Sequence, residues 1–241
     1  MDRVSTGLLR CGLAVVLAAG VAAPSAAFDI PPPPPPVYQG LIFPLFPNST
    51  AVPFSGQSGG GGSSGRHSSS TPARTSTLAP ASAQTGSSAR QLAQAVPAPQ
   101  REQMAQVYQQ SFDTWRQLER KLGLPSNDVA GAIAAFIAGN YMAYRDVEVP
   151  DPAYLRLVAQ VRGSLVESRG FARATPAQRR ALYEQMAMVG TFMAVARLSF
   201  QQKPNPAAEQ NFRDAAAANL EAALKVPAGQ VRITDQGLTL Q

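Results

Sequence analysis

Thr175–Gln202 reads TPAQRRALYEQMAMVGTFMAVARLSFQQ, and the fold turns on this stretch. Thr175 is placed to accept a backbone hydrogen bond as N-cap, Pro176 suits the first helical position, and Gln178 follows the cap by three residues, which together spell a capping box. Leu182, Tyr183, Met186, Val189, Phe192, Met193, Val195 and Leu198 then cover nearly the whole helix circumference. A helix on a protein surface keeps one polar face, so a helix that is apolar almost all round is a buried one. The run is too short, and too interrupted by Glu184 and Arg197, to make a good membrane span. The expected fold is therefore all-α: a compact bundle of about five helices around this buried central helix.

The flanking sequence supplies the other helices. Met104, Val107, Tyr108, Trp115, Leu118 and Leu122 recur at helical spacing, with Gly123 as C-cap and Pro125 just beyond. Trp115 reads as a core anchor. A second helix starts near Asn127, where Asp128 suits the positive helix end, and turns Val129, Ile133, Phe136 and Ile137 inward. Gly131, Ala135 and Gly139 lie at intervals of four, and small residues at that spacing let another helix approach closely. Asp151 and Pro152 open a third helix with an inward stripe of Tyr154, Leu155, Val158, Val161 and Leu165, ended by Gly170. After the central helix, Pro204-Asn205-Pro206 sets up a fifth, with Phe212, Ala216, Leu220 and Leu224 on one face. Val231–Thr234 is a short β-like run before a turn at Asp235-Gln236-Gly237. Residues 100–241 form the expected helical domain, long enough to bury a core without disulfides.

The preceding residues read differently. Residues 1–27 have the layout of a secretory signal peptide: Arg3 and Arg10, an apolar run from Cys11 to Ala23, and the small residues Ser25 and Ala27 before the expected cut. Cys11 is the only cysteine and lies inside that signal, so the exported chain is expected to hold no thiol, disulfide or cysteine metal site. Residues 28–99 are expected to be a disordered tether. Pro31–Pro36 is an unbroken proline run, and a Gly/Ser/Thr/Ala-rich stretch with little to bury follows it. Val37–Phe54, VYQGLIFPLFPNSTAVPF, stands out as apolar, with Tyr38, Leu41, Phe43 and Phe46 as candidate binding residues. Three readings are open for it: a docking motif for a partner, a segment that folds back on the chain's own helices, or a membrane contact.

Short runs along the domain, Asn127-Asp128-Val129, Asn140-Tyr141, Gln160-Val161-Arg162, Tyr183-Glu184-Gln185 and Asp235-Gln236-Gly237-Leu238, resemble an uncharacterised family of exported bacterial proteins. The resemblance covers about residues 126–240. It implies a signal peptide, a variable linker, a C-terminal all-helical domain of unknown function and a Gram-negative source, and it assigns no activity.

The chemistry-bearing residues are few. No HExxH, phosphate loop, GxSxG, CxxC or dinucleotide fingerprint is present. His67 is the only histidine and falls in the Gly/Ser tract. Asp146, Glu148 and Asp151 cluster without the spacing of a calcium loop, so no metal or cofactor is expected. The net charge of +6 is mild, and Arg179-Arg180 has no aromatic interleaving, which argues against nucleic acid. Glu184, inside the apolar helix, is the candidate catalytic residue: a desolvated glutamate can serve as a general acid, as in helical lysozyme-like enzymes. Its other reading is structural, paired with an arginine such as Arg162 or hydrogen-bonded to Asn140 or Tyr141. These residues point to an exported, non-enzymatic interaction domain on a tether. It would work in the periplasm or outside the cell on an envelope or extracellular protein, with no permanent membrane span after signal cleavage. The alternative is a cell-wall-active hydrolase using Glu184.

Overall fold

The structure is a computed structural model that describes residues 76–82 and 86–241. Among them are seven α-helices and a C-terminal hairpin: α1 (Gly86–Ala93), α2 (Arg101–Lys121), α3 (Val129–Arg145), α4 (Asp151–Glu167), α5 (Arg169–Arg173), α6 (Pro176–Gln202), α7 (Pro206–Leu224), β1 (Val231–Thr234) and β2 (Gly237–Leu240). The expected signal peptide and most of the expected tether lie outside the described residues.

The capping box at the start of α6 is complete. The Gln178 backbone N–H donates to Thr175 Oγ1 at 3.2 Å, and the Thr175 N–H donates to Gln178 Oε1 at 2.8 Å. Residues 182–191 of α6 are all buried. Yet α6 is not the sole centre. Every residue of α3 from Val129 to Ala143 is buried, and α3 packs against α4, α6 and α7. The core is organised on the α3–α6 pair, which cross backbone to backbone. A Cβ on Gly139 would fall on the Gly190 carbonyl, and a Cβ on Gly190 would fall on the Ala135 carbonyl. The third small residue of the expected stripe, Gly131, faces Trp115 and Leu124 instead. The many Ala and Gly residues of α3 leave little side-chain bulk to keep its neighbours away, which is why it sits so deep.

Other boundaries differ in detail. Pro150 occupies the cap of α4, and Asp151 is already helical. The helix ends at Glu167, three residues before Gly170, because Ser168 turns out of the helix and caps α5, accepting from the Phe171 N–H at 3.2 Å. That short helix buries Phe171. Asn205 caps α7 by accepting from the Ala208 N–H, and the Phe212, Ala216, Leu220 and Leu224 face is buried as expected. The tail is a two-stranded antiparallel hairpin with Val231 opposite Leu240 and Thr234 opposite Gly237, so the fold is mostly helical rather than purely so. Gly237 has φ +91°, a conformation that favours glycine, and a Cβ there would also strike the Gln160 side chain.

The N-terminal side departs most from the sequence reading, which placed the tether up to residue 99. The Val129 N–H donates to the Thr77 carbonyl at 3.0 Å and the Ala79 N–H to the Asn127 carbonyl at 2.9 Å, laying residues 77–79 along the start of α3. Helix α1 then packs on α2 and α6 and buries Ala89, Leu92 and Ala93. These three form an i, i+3, i+4 stripe, but with only one large side chain in it, the polar composition around it conceals the pattern.

Candidate functional site

Glu184 sits in the third turn of α6 and is 2% exposed. Its carboxylate is fully engaged. Arg180, one turn earlier, donates from Nε to Oε1 at 2.6 Å, and the Ser88 hydroxyl of α1 donates to Oε2. Arg180 also donates from Nη1 to Asn127 Oδ1 at 2.7 Å and to the Pro80 carbonyl at 3.2 Å, and its guanidinium lies over the Tyr183 ring, 5.2 Å from the centroid. The partner expected from sequence, Arg162, is elsewhere: it pairs with Asp128 at 2.5 Å. Asn140 is elsewhere too, donating to the Phe136 carbonyl at 2.8 Å and accepting from Asn219 Nδ2 at 2.9 Å. The lid over Glu184 is α1, the helix hidden in the expected tether.

A second buried acid lies next to it. Glu119 of α2, four residues after Trp115 on the same inward stripe, is 3% exposed. The Tyr183 hydroxyl donates to it at 3.1 Å, Trp115 Nε1 donates to that hydroxyl oxygen at 3.2 Å, and the Asp128 N–H donates to Glu119 Oε1 at 3.3 Å. Burial pushes the Glu119 carboxyl up from its ordinary value, against the opposing hydrogen bonds from Tyr183 and the Asn127 and Asp128 backbone. Burial likewise raises the Tyr183 phenol, with the Glu119 charge adding to it. Asp128 completes the cluster: its Oδ1 accepts from the Thr77 hydroxyl at 2.8 Å and from the Ala130 N–H at 3.3 Å. Sequence reading missed Glu119, although its spacing from Trp115 was a usable signal.

The short runs that carried the resemblance turn out to be fasteners between elements. Asn127 and Asp128 tie α3 to Arg180 and Arg162. Asn140 ties α3 to α7 through Asn219. Gln185 ties α6 to α1, donating from Nε2 to Gln91 Oε1 at 3.1 Å. Gln160 holds the hairpin: the Leu238 N–H donates to its Oε1 at 2.7 Å, and its Nε2 donates to the Leu238 carbonyl at 3.2 Å.

None of these fasteners lines a groove of about 260 Å³ between α2 and the C-terminal half of α6. Its walls are two facing helical stripes: Thr114, Gln117, Leu118 and Lys121 on α2, and Thr191, Ala194, Val195 and Leu198 on α6. Both run i, i+3, i+4, i+7, so each presents one continuous face. The floor is α3 at Ala135, Ala138, Gly139 and Met142. The same glycines that bring α3 and α6 together leave no side chains to fill the space above their crossing. Ala194, Val195 and Leu198 are only half-buried. Two donors beside the groove lack partners: Thr191 Oγ1 and Arg197 Nη1, both on residues 7% exposed. Arg197 uses only its Nε, which donates to Asp146 at 2.8 Å. In the sequence this face reads as core, because its periodicity is that of the buried half of the helix.

The remaining candidates can be placed or set aside. Tyr38, Leu41, Phe43 and Phe46 lie outside the described residues, as does His67. Among the described residues no group of three or more His, Cys, Asp and Glu is placed to hold a metal ion. Asp146 of the acidic cluster is engaged by Arg197 and by Gln201 Nε2 at 3.1 Å. Among the described residues no helix is long and apolar enough to cross a membrane.

Fold and site thus define a mostly helical domain with an apolar groove and a closing hairpin. Residues 63–241 match the model of a family of unknown function (DUF6683), and the chain belongs to that family. No curated protein and no solved structure matches the chain.

Proposed function

We propose that this chain is an exported, non-catalytic interaction domain carried on an N-terminal tether, acting in the periplasm or outside the cell on an envelope or extracellular protein. The observation that carries the reading is the groove: an apolar recess with a mostly small-residue floor, two helical walls and two unpartnered donors. Binding sites are commonly concave and mostly apolar with a few polar groups. The signal-like residues 1–27 and the composition of the upstream chain support export.

The alternative, a lysozyme-type hydrolase with Glu184 as general acid, needs that carboxyl to meet a glycosidic oxygen. Arg180 and Ser88 occupy both carboxylate oxygens, and α1 covers them. The groove and Glu184 are separate places, so the acid does not face the recess that would take a substrate.

The test is retention of envelope proteins by the immobilised chain, wild type against Ala194→Arg, read by quantitative mass spectrometry. The expected outcome is a partner retained about tenfold more by the wild type, a difference of roughly 1.4 kcal/mol in binding, with similar thermal melting for both chains. Equal retention by the two chains sinks the groove as the binding surface.

A further inference from the structure

The sequence of α6 calls for burial on every side, and the groove is where the described residues fail to provide it. Thr191, Ala194, Val195 and Leu198 form a face with nothing laid across it among those residues. In the other half of α6 the same problem is solved from the N-terminal side: α1, from a stretch that composition assigned to the tether, lies over residues near Glu184. Resting on the reading of the groove as the binding site, we infer that its resident occupant is the chain's own Leu41–Phe46, LIFPLF, bound in cis.

Four observations support that choice. The first is volume. The floor and inner wall are small at Ala135, Ala138, Gly139, Gly190 and Ala194, with Met142 alone large at the floor's end, whereas Leu41, Ile42, Phe43, Leu45 and Phe46 are all large. Space left by small residues is filled by large ones. The second is length. Ala135 to Met142 spans about 10 Å of helix, which takes roughly three extended residues, so Leu41–Phe43 covers the floor and Leu45–Phe46 the rim by Val195 and Leu198.

The third is hydrogen bonding. Pro44 and Pro47 have no backbone N–H, so the segment is rich in acceptors and poor in donors. The unpartnered groups at the groove, Thr191 Oγ1 and Arg197 Nη1, are donors. A donor-poor segment supplies carbonyls to them and leaves few N–H groups stranded on an apolar floor. The fourth is reach. The described chain starts at Ser76, beside Asp128 at the beginning of α3. Residues 55–75 lie between Phe54 and that point and can extend to about 70 Å, while the floor lies only about 10–20 Å along α3 from Asp128. Tethering at such a distance gives a high effective concentration, which favours this segment over a free competitor of equal affinity. Leu41–Phe46 lies upstream of the family-matched residues 63–241, so the inference concerns this chain and not the family as a whole.

Disulfide trapping tests it in the full chain. In a Cys11→Ser background, Phe43→Cys is combined with Val195→Cys in the groove or, as control, with Asp214→Cys on the exposed face of α7. Under mild oxidation the groove pair is expected to form an intramolecular disulfide roughly tenfold faster than the control pair, as a local concentration difference requires. Adding Leu41→Asp and Phe46→Asp should bring the groove pair down to the control rate. Equal rates for the two pairs overturn the inference. So does a disulfide-linked dimer from the groove pair, which would assign the groove to a second copy. If trapping fails while Ala194→Arg still abolishes partner retention, the groove remains a binding site and only its resident occupant is wrong.

Discussion

The two halves of α6 have similar sequences and opposite surroundings. From Leu182 to Val189 the helix is enclosed by α1, α2 and α3, and even the charged Glu184 is sealed. From Ala194 to Leu198 one face is open and lines the groove. Hydrophobic periodicity is the same signal in both halves, because it reports what a helix needs to bury and is silent on which element does the covering. Part of the cover of the first half comes from α1, a helix in the stretch whose composition read as tether. The boundary between the halves is Gly190, where α3 touches α6 without side chains.

The largest effect should come from that boundary. Gly190→Ala places a methyl on the Ala135 carbonyl, so α3 and α6 must separate, at a cost of about 3 kcal/mol or more. Gly163 of α4 has open space where its Cβ would be, so Gly163→Ala should instead stabilise by about 0.5–1 kcal/mol. Urea denaturation midpoints of both variants check this. A small effect at Gly190 would mean that the two halves are not divided by a backbone contact.

The next prediction compares one residue from each half. Glu184→Ala strands Ser88 and removes the main partner of Arg180, and should cost about 3 kcal/mol, the low end for a buried pair because Arg180 keeps Asn127 and Pro80. Glu184→Gln keeps the shape and should cost less. Leu198→Ala, in the groove half, removes a half-buried side chain and should cost about 1 kcal/mol or less. Equal costs for Glu184→Ala and Leu198→Ala would erase the distinction between a sealed and an open half.

The smallest effect is a pH dependence in the sealed half. Burial raises the folded-state pKa of Glu119 above its ordinary value of 4.5. Between the two values the folded state binds more protons than the unfolded one, so stability falls as pH rises through the folded pKa. Glu119→Gln does not titrate. The stability of wild type relative to Glu119→Gln should therefore decline from about pH 4.5 towards neutrality, as denaturation at several pH values would show. A flat difference would mean that the Tyr183 and backbone hydrogen bonds offset the burial completely.

Much of the helical framework was legible because its signals are local. The Thr175–Gln178 capping box, the Asn205 cap, the Gly123 turn and the stripe of α7 each depend on residues within a few turns. The Gly139 spacing announced a close helix contact, although not that Gly190 would meet it. Glu184 was legible as a buried acid in need of a partner, and Arg180 stood four residues away. The groove was not legible, because the face formed by Thr191, Ala194, Val195 and Leu198 looks the same whether another helix covers it or not.

By itself, then, the sequence determined the five main helices, where most of them start and most of the faces that turn inward, Leu155 being the exception at 40% exposed, since caps and periodicity act over a few residues. Only the tertiary structure decided that α1 joins the body, that Arg162 goes to Asp128 and Arg180 to Glu184, and that α6 is closed in one half and open in the other. Those outcomes depend on which distant surfaces meet. Pairings such as Ser88 with Glu184 and Gln160 with Leu238 join residues with no local relation in the chain, so no periodicity records them.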